Sequence, residues 1–78
     1  MTLSELSVRL QQENIPDRAY SLSGGFANDT FCIETTGDGW DVYYTERGEK
    51  FDVEHFSSED AACNRLFERI MAAKDDLY

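Results

Sequence analysis

The stretch Thr30–Phe56, TFCIETTGDGWDVYYTERGEKFDVEHF, limits what this chain can fold into more than any other. Three runs of alternating apolar and polar residues are separated by two turn signals, Gly37-Asp38-Gly39 and Arg47-Gly48. In a strand, successive side chains point to opposite faces. Phe31, Ile33 and Thr35 then face one way, and Thr30, Cys32, Glu34 and Thr36 the other. In the second run, Trp40, Val42 and Tyr44 oppose Asp41, Tyr43 and Thr45. In the third, Phe51, Val53 and His55 oppose Asp52, Glu54 and Phe56. Turns this short join antiparallel neighbours. The expectation is a three-stranded antiparallel meander with one apolar face and one wet face. The wet face would collect Glu34, Asp41, Tyr43, Asp52 and Glu54.

A helix is expected on either side of this sheet. Thr2-Leu3-Ser4-Glu5 fits a capping box, in which the threonine hydroxyl and the glutamate satisfy each other's backbone N–H groups. Leu3, Leu6 and Leu10 fall on a narrow stripe, and Pro16 ends the pattern, which predicts a helix over about residues 3–13. Ser57-Ser58-Glu59-Asp60 opens the second helix, with Ser57 expected as N-cap and Asp60 at the third helical position. Ala62, Cys63, Leu66, Phe67, Ile70 and Ala73 form its apolar arc. Asp75 to Tyr78 is expected to fray. Pro16 to Asp29 is a connector with turn chemistry at Gly24-Gly25 and Asn28-Asp29, and Ala19 to Leu22 could lie extended on the sheet edge. The predicted fold is α+β: helix, three-stranded antiparallel meander, helix, with both helices on one face of the sheet.

The chain has 78 residues, so it forms one domain, residues 1–78, with a small core and little room for a deep pocket. Its net charge is −9. Between Asp29 and Asp60 there are ten carboxylates against two cations, Arg47 and Lys50. A surface like this repels nucleic acid and anionic membranes, which are bound by clustered lysine and arginine. It suits a basic protein partner, because opposite potentials speed encounter. The alternative is that the charge serves solubility alone.

Few residues invite chemistry. His55 is the only histidine, and nothing in the sequence marks a nucleophile or acid–base partner for it. Cys63 sits on the apolar arc of the second helix, and Cys32 is expected on the far side of the sheet, which disfavours a disulfide between them. The calcium-loop spacing is absent, and Gly37-Asp38-Gly39 is better read as a turn. No catalytic residue, cofactor or metal is therefore expected. The first residues lack the basic and apolar regions of a secretion signal, and no apolar run is long enough for a membrane span. The expected location is the cytoplasm.

The segment Tyr20-Ser21-Leu22-Ser23-Gly24-Gly25, the strand ending in Thr45-Glu46-Arg47-Gly48, and the helix opening from Phe56 to Cys63 together resemble the small immunity proteins of bacterial polymorphic and contact-dependent growth inhibition toxin systems. The resemblance spans about residues 20–70. It implies a cytoplasmic inhibitor, not an enzyme, that binds one cognate toxin domain. A basic nuclease is the expected toxin, with no direct contact to nucleic acid or membrane. The resemblance does not say which residues make contact. Alternation nominates Glu34, Asp41, Tyr43, Asp52 and Glu54, and the second turn adds Glu46 and Glu49. The competing reading is an acidic nucleic-acid mimic or regulatory adaptor for a basic host protein.

Overall fold

The structure, a computed structural model, describes residues 1–25 and 28–77. Helix α1 spans Leu3–Gln12 and strand β1 spans Tyr20–Ser21. Strands β2 (Thr30–Thr36), β3 (Gly39–Glu46) and β4 (Glu49–Phe56) follow, and then helix α2, Glu59–Ala72. Single 3-10 turns lie at Asp17–Ala19 and Lys74–Asp76. No helix among the described residues is long and apolar enough to cross a membrane.

The expected order of helix, sheet and helix holds, but the sheet does not match the predicted meander. It has four strands in the order β1-β2-β3-β4, and β1 runs parallel to β2. The sheet is therefore mixed, not three-stranded and antiparallel. The extra strand is the segment between Ala19 and Leu22 that could lie extended, with Tyr20 opposite Phe31 and Ser21 opposite Cys32. Parallel neighbours ordinarily need a long crossover.

The other three strands pair antiparallel through two-residue turns, at Gly37-Asp38 and Arg47-Gly48. Arg47 and Gly48 both take positive φ, 53° and 80°, which matches the twist of a tight hairpin. Between Val42 and Tyr44 the pairing of β3 with β4 slips by one residue. Asp52 and Val53 together oppose Tyr43, and Asp52 adopts φ 53°. This is a β-bulge, with a short polar side chain in the left-handed region. It reverses every side chain beyond it. Glu54 and Phe56 turn toward α2, while Val53 and His55 turn away, the opposite of strict alternation.

Helix α2 packs on the inner face of the sheet. Ala62, Cys63, Leu66 and Ile70 share a core with Ile33 and Val42. Helix α1 lies beside α2 and parallel to it, and buries Leu6 and Leu10 in the same core. The Leu3 N–H donates to Glu59 Oε2 (2.9 Å), Arg9 sits 4.7 Å from the Phe67 ring centre, and Lys74 reaches Glu13 (3.2 Å). The capping box at Thr2 and Glu5 is present. The cap of α2 is Ser58, one residue later than expected, and its hydroxyl accepts from Ala61 N–H. The stretch expected to fray is held as far as Leu77, which packs on the core and accepts from Arg18 through its carbonyl. Tyr78 lies outside the described residues.

Candidate functional site

The outer face of the sheet is not uniformly wet. Thr30, Cys32, Tyr43 and Thr45 point away from α2, yet each is at most 3% exposed. The segment Ser21 to Gly25 passes over this face. Ser21 Oγ donates to the Gly24 carbonyl (2.7 Å) and fixes the turn. Gly24, at φ 77°, comes so close to Glu34 that a Cβ would lie 2.9 Å from its Oε1. Only glycine combines that conformation with that approach. Beneath this strap the Tyr43 hydroxyl donates to Glu34 Oε1 at 2.6 Å, and Gly25 O lies 3.5 Å from the same hydroxyl. Burial first, then the bond to Glu34, raises the Tyr43 pKa. The same hydrogen bond lowers that of Glu34. Lys50 closes the group, 3.5 Å from Glu34 Oε1 and 4.6 Å from the Tyr43 ring centre.

The second group is Asp41, His55 and Asp38. The bulge brings His55 opposite Asp41, with Nδ1 2.6 Å from Asp41 Oδ1 and Nε2 3.4 Å from Asp38 Oδ1. Hydrogen bonding to Asp41 leads the causes that raise the histidine pKa. Alternation had put His55 on the inner face, opposite Asp52 and Glu54. Its true partners lie across the strand, and only knowledge of the bulge would have revealed them.

The third group lies along β4 and its hairpin. Glu46 and Glu49 are directly opposed, and both are exposed. Like charges in that position repel. Neither they nor Asp52 has an ion pair among the described residues. Hydrogen bonds to the turn at Asn28 and Asp29 instead anchor this end of the hairpin. Arg47 N–H donates to Asn28 Oδ1 (3.0 Å), and the Tyr44 hydroxyl donates to Asp29 (3.2 Å).

Glu54 belongs to a different surface. It faces α2, 2.7 Å from Arg65 Nε and 3.7 Å from Arg69 Nη1. Arg65 also pairs with Glu68 (3.1 Å), and Arg69 donates to the Asp52 carbonyl (2.9 Å). Beside these arginines an open groove of about 840 Å³ exposes Phe31 and Tyr44, whose ring centres are 4.8 Å apart.

Of the seven nominated residues, Glu46 at the end of β3 and Glu49 and Asp52 on β4 stay open. Glu34 and Asp41 do share the outer face, but each already has a partner. Tyr43 is fully buried, and Glu54 is on the other side of the sheet. The expectation of one continuous acidic face with Tyr43 at its surface is therefore corrected, because a strap covers its centre and a bulge removes Glu54.

Both cysteines are free, with Cys32 behind the sheet and Cys63 in the core. Burial pushes Cys63 up to about 11 and raises Cys32 as well, so neither is a ready thiolate at neutral pH. Among the described residues, no group of three or more His, Cys, Asp or Glu side chains could hold a metal ion. Comparison of the chain with family models, curated proteins and solved structures found no match in any of the three.

Proposed function

We propose that this protein is an immunity-type inhibitor that binds and neutralises a cognate bacterial toxin domain, a basic nuclease, through its acidic surface. It acts in the cytoplasm by protein–protein binding and not by catalysis. One observation carries the reading. Glu46, Glu49 and Asp52 are exposed and their carboxylates make no ion pair among the described residues, on a chain of net charge −9. Opposed glutamates destabilise the isolated hairpin. Arginines of a partner would relieve that repulsion and could be gripped two N–H groups at a time. The segments that resemble immunity proteins build the scaffold: the strap from Tyr20 to Gly25, the hairpin turn, and the start of α2. That leaves the carboxylates of β4 free to differ with the partner.

Co-expression in bacteria with the toxin domain encoded beside this chain tests the reading. Survival with that toxin, but not with unrelated ones, is the expected result. Death in every pairing would remove it. Inhibition of unrelated nucleases would instead favour a broad nucleic-acid mimic.

A further inference from the structure

The groove beside α2 combines an aromatic floor with a charged rim. Phe31 on β2 and Tyr44 on β3 stand opposite each other, and their half-buried rings are 4.8 Å apart and tilted by 60°. Helix α2 closes with Ala72 and its cap residue Ala73, whose methyl groups fill little of the space in front of the rings. Leu77 completes the apolar lining. The guanidiniums of the groove are already engaged. Arg65 holds Glu54 (2.7 Å) and Glu68 (3.1 Å), Arg69 donates to the Asp52 carbonyl (2.9 Å), and Arg18 donates to the Leu77 carbonyl (3.2 Å). Three lining carboxylates differ. Asp29, Asp52 and Asp76 are exposed and make no ion pair among the described residues. Asp29 accepts from the Tyr44 hydroxyl, a neutral donor (3.2 Å). With Glu54 and Glu68 these acids outnumber the three guanidiniums, so the groove stays negative.

We propose that this groove takes an arginine side chain of a basic protein partner, with an apolar residue beside it in the partner's chain. The methylene stem and planar guanidinium lie against Phe31 and Tyr44, and the N–H groups meet the carboxylates of the rim. A guanidinium suits such a place because it stacks on aromatic rings, forks onto carboxylates, and is more weakly hydrated than an ammonium. The apolar neighbour rests on Ala73 and Leu77. Charge selects this occupant. An acidic segment would have to displace Glu54 and Glu68 from Arg65 while facing Asp29, Asp52 and Asp76. A second copy of this chain would bring its own net charge of −9 against the same rim. Asp52 belongs both to this rim and to the open carboxylates of the hairpin. The inference deepens the proposed function by naming the group that the partner inserts, and rests on it only for the partner being a toxin.

The test uses the whole isotope-labelled chain and three blocked peptides that carry arginine, citrulline or glutamate between two leucines. Citrulline keeps the shape of arginine and removes its charge. The arginine peptide should shift the ring resonances of Phe31 and Tyr44, and the other two should bind at least about tenfold more weakly. Asp52→Asn with Asp76→Asn should weaken the arginine peptide by about fivefold. Asp38→Asn with Asp75→Asn removes the same charge outside the groove and should change its affinity by less than about twofold. Phe31→Leu keeps apolar bulk, removes the ring, and should weaken binding by about fivefold. Unchanged far-UV dichroism checks the fold of each variant, and the aspartate pairs alter exposed side chains only. Equal binding of the three peptides, preference for glutamate, no binding, or shifts that leave both rings untouched would overturn the proposal. An equal loss from the two aspartate pairs would assign the binding to general charge and overturn it as well. Survival in the co-expression assay alongside a negative peptide result removes the groove site and keeps the inhibitor. The reverse outcome removes the inhibitor and keeps the groove site.

Discussion

On the outer face of the sheet, the carboxylate of Glu34 is held by the Tyr43 hydroxyl at 2.6 Å and by Lys50 at 3.5 Å, under the turn at Gly24. At the hairpin, Glu46 and Glu49 oppose each other in the open with no such help. One chain thus handles similar acids in two ways. The strapped acid is internally satisfied and serves the fold. The bare acids make the isolated fold slightly worse. On the proposed function, the partner meets the second group and not the first.

Damage to the strap should have the largest effect on stability. Gly24→Val forces a branched side chain into φ 77° and against Glu34. A loss of about 3 kcal/mol is expected, read as a fall in Tm of about 15 °C. A variant as stable as the wild type would show that the strap contributes nothing. Tyr43→Phe removes only the hydroxyl that donates to Glu34. It should cost about 1 kcal/mol in denaturant melts, with the midpoint shifted and the slope unchanged.

The bare side should respond with the opposite sign. Glu49→Lys replaces a repelling pair with an attracting one opposite Glu46. It should stabilise the isolated protein by about 0.5 kcal/mol while weakening the proposed complex with a toxin. Destabilisation by this change would mean that Glu49 already has a useful partner within the fold.

His55 gives the smallest effect, one of direction. Its folded pKa is raised above the unfolded value of 6.5 by Asp41. Its contribution is therefore fully present below about pH 6.5 and is lost as pH rises through the higher folded value. Melts between pH 6 and 9 should show a decline that His55→Asn lacks. The same slope in both proteins would assign the decline to other groups.

The local chemistry of this chain was readable from its sequence. The two tight turns, the capping box at Thr2 and Glu5, and the three long strands all lie where alternation and turn residues placed them. Three features escaped, each for a physical reason. A two-residue parallel strand is too short to carry an alternating pattern, so Tyr20–Ser21 could only be suspected. A bulge depends on one aspartate adopting φ 53°, and Asp52 looks like any other polar strand residue until its pairing is known. That single residue moved Glu54 to the arginines of α2 and His55 to Asp41. Burial of Tyr43 depends on the path of the strap, a tertiary feature with no periodic signal. Composition found the acidic surface, but it could not divide the carboxylates that are already paired from those that are free.

That division is best tested by affinity. The purified chain would be titrated with the purified domain of the proposed toxin, comparing wild type, Glu46→Lys with Glu49→Lys and Asp52→Lys, and Asp41→Asn. The triple reversal should lose at least about a hundredfold in Kd, mostly recovered by lowering the positive charge of the toxin, while Asp41→Asn stays within about threefold of wild type. Full affinity in the triple variant, or a larger loss from Asp41→Asn, would contradict the assignment of docking to the open carboxylates of the β3–β4 hairpin.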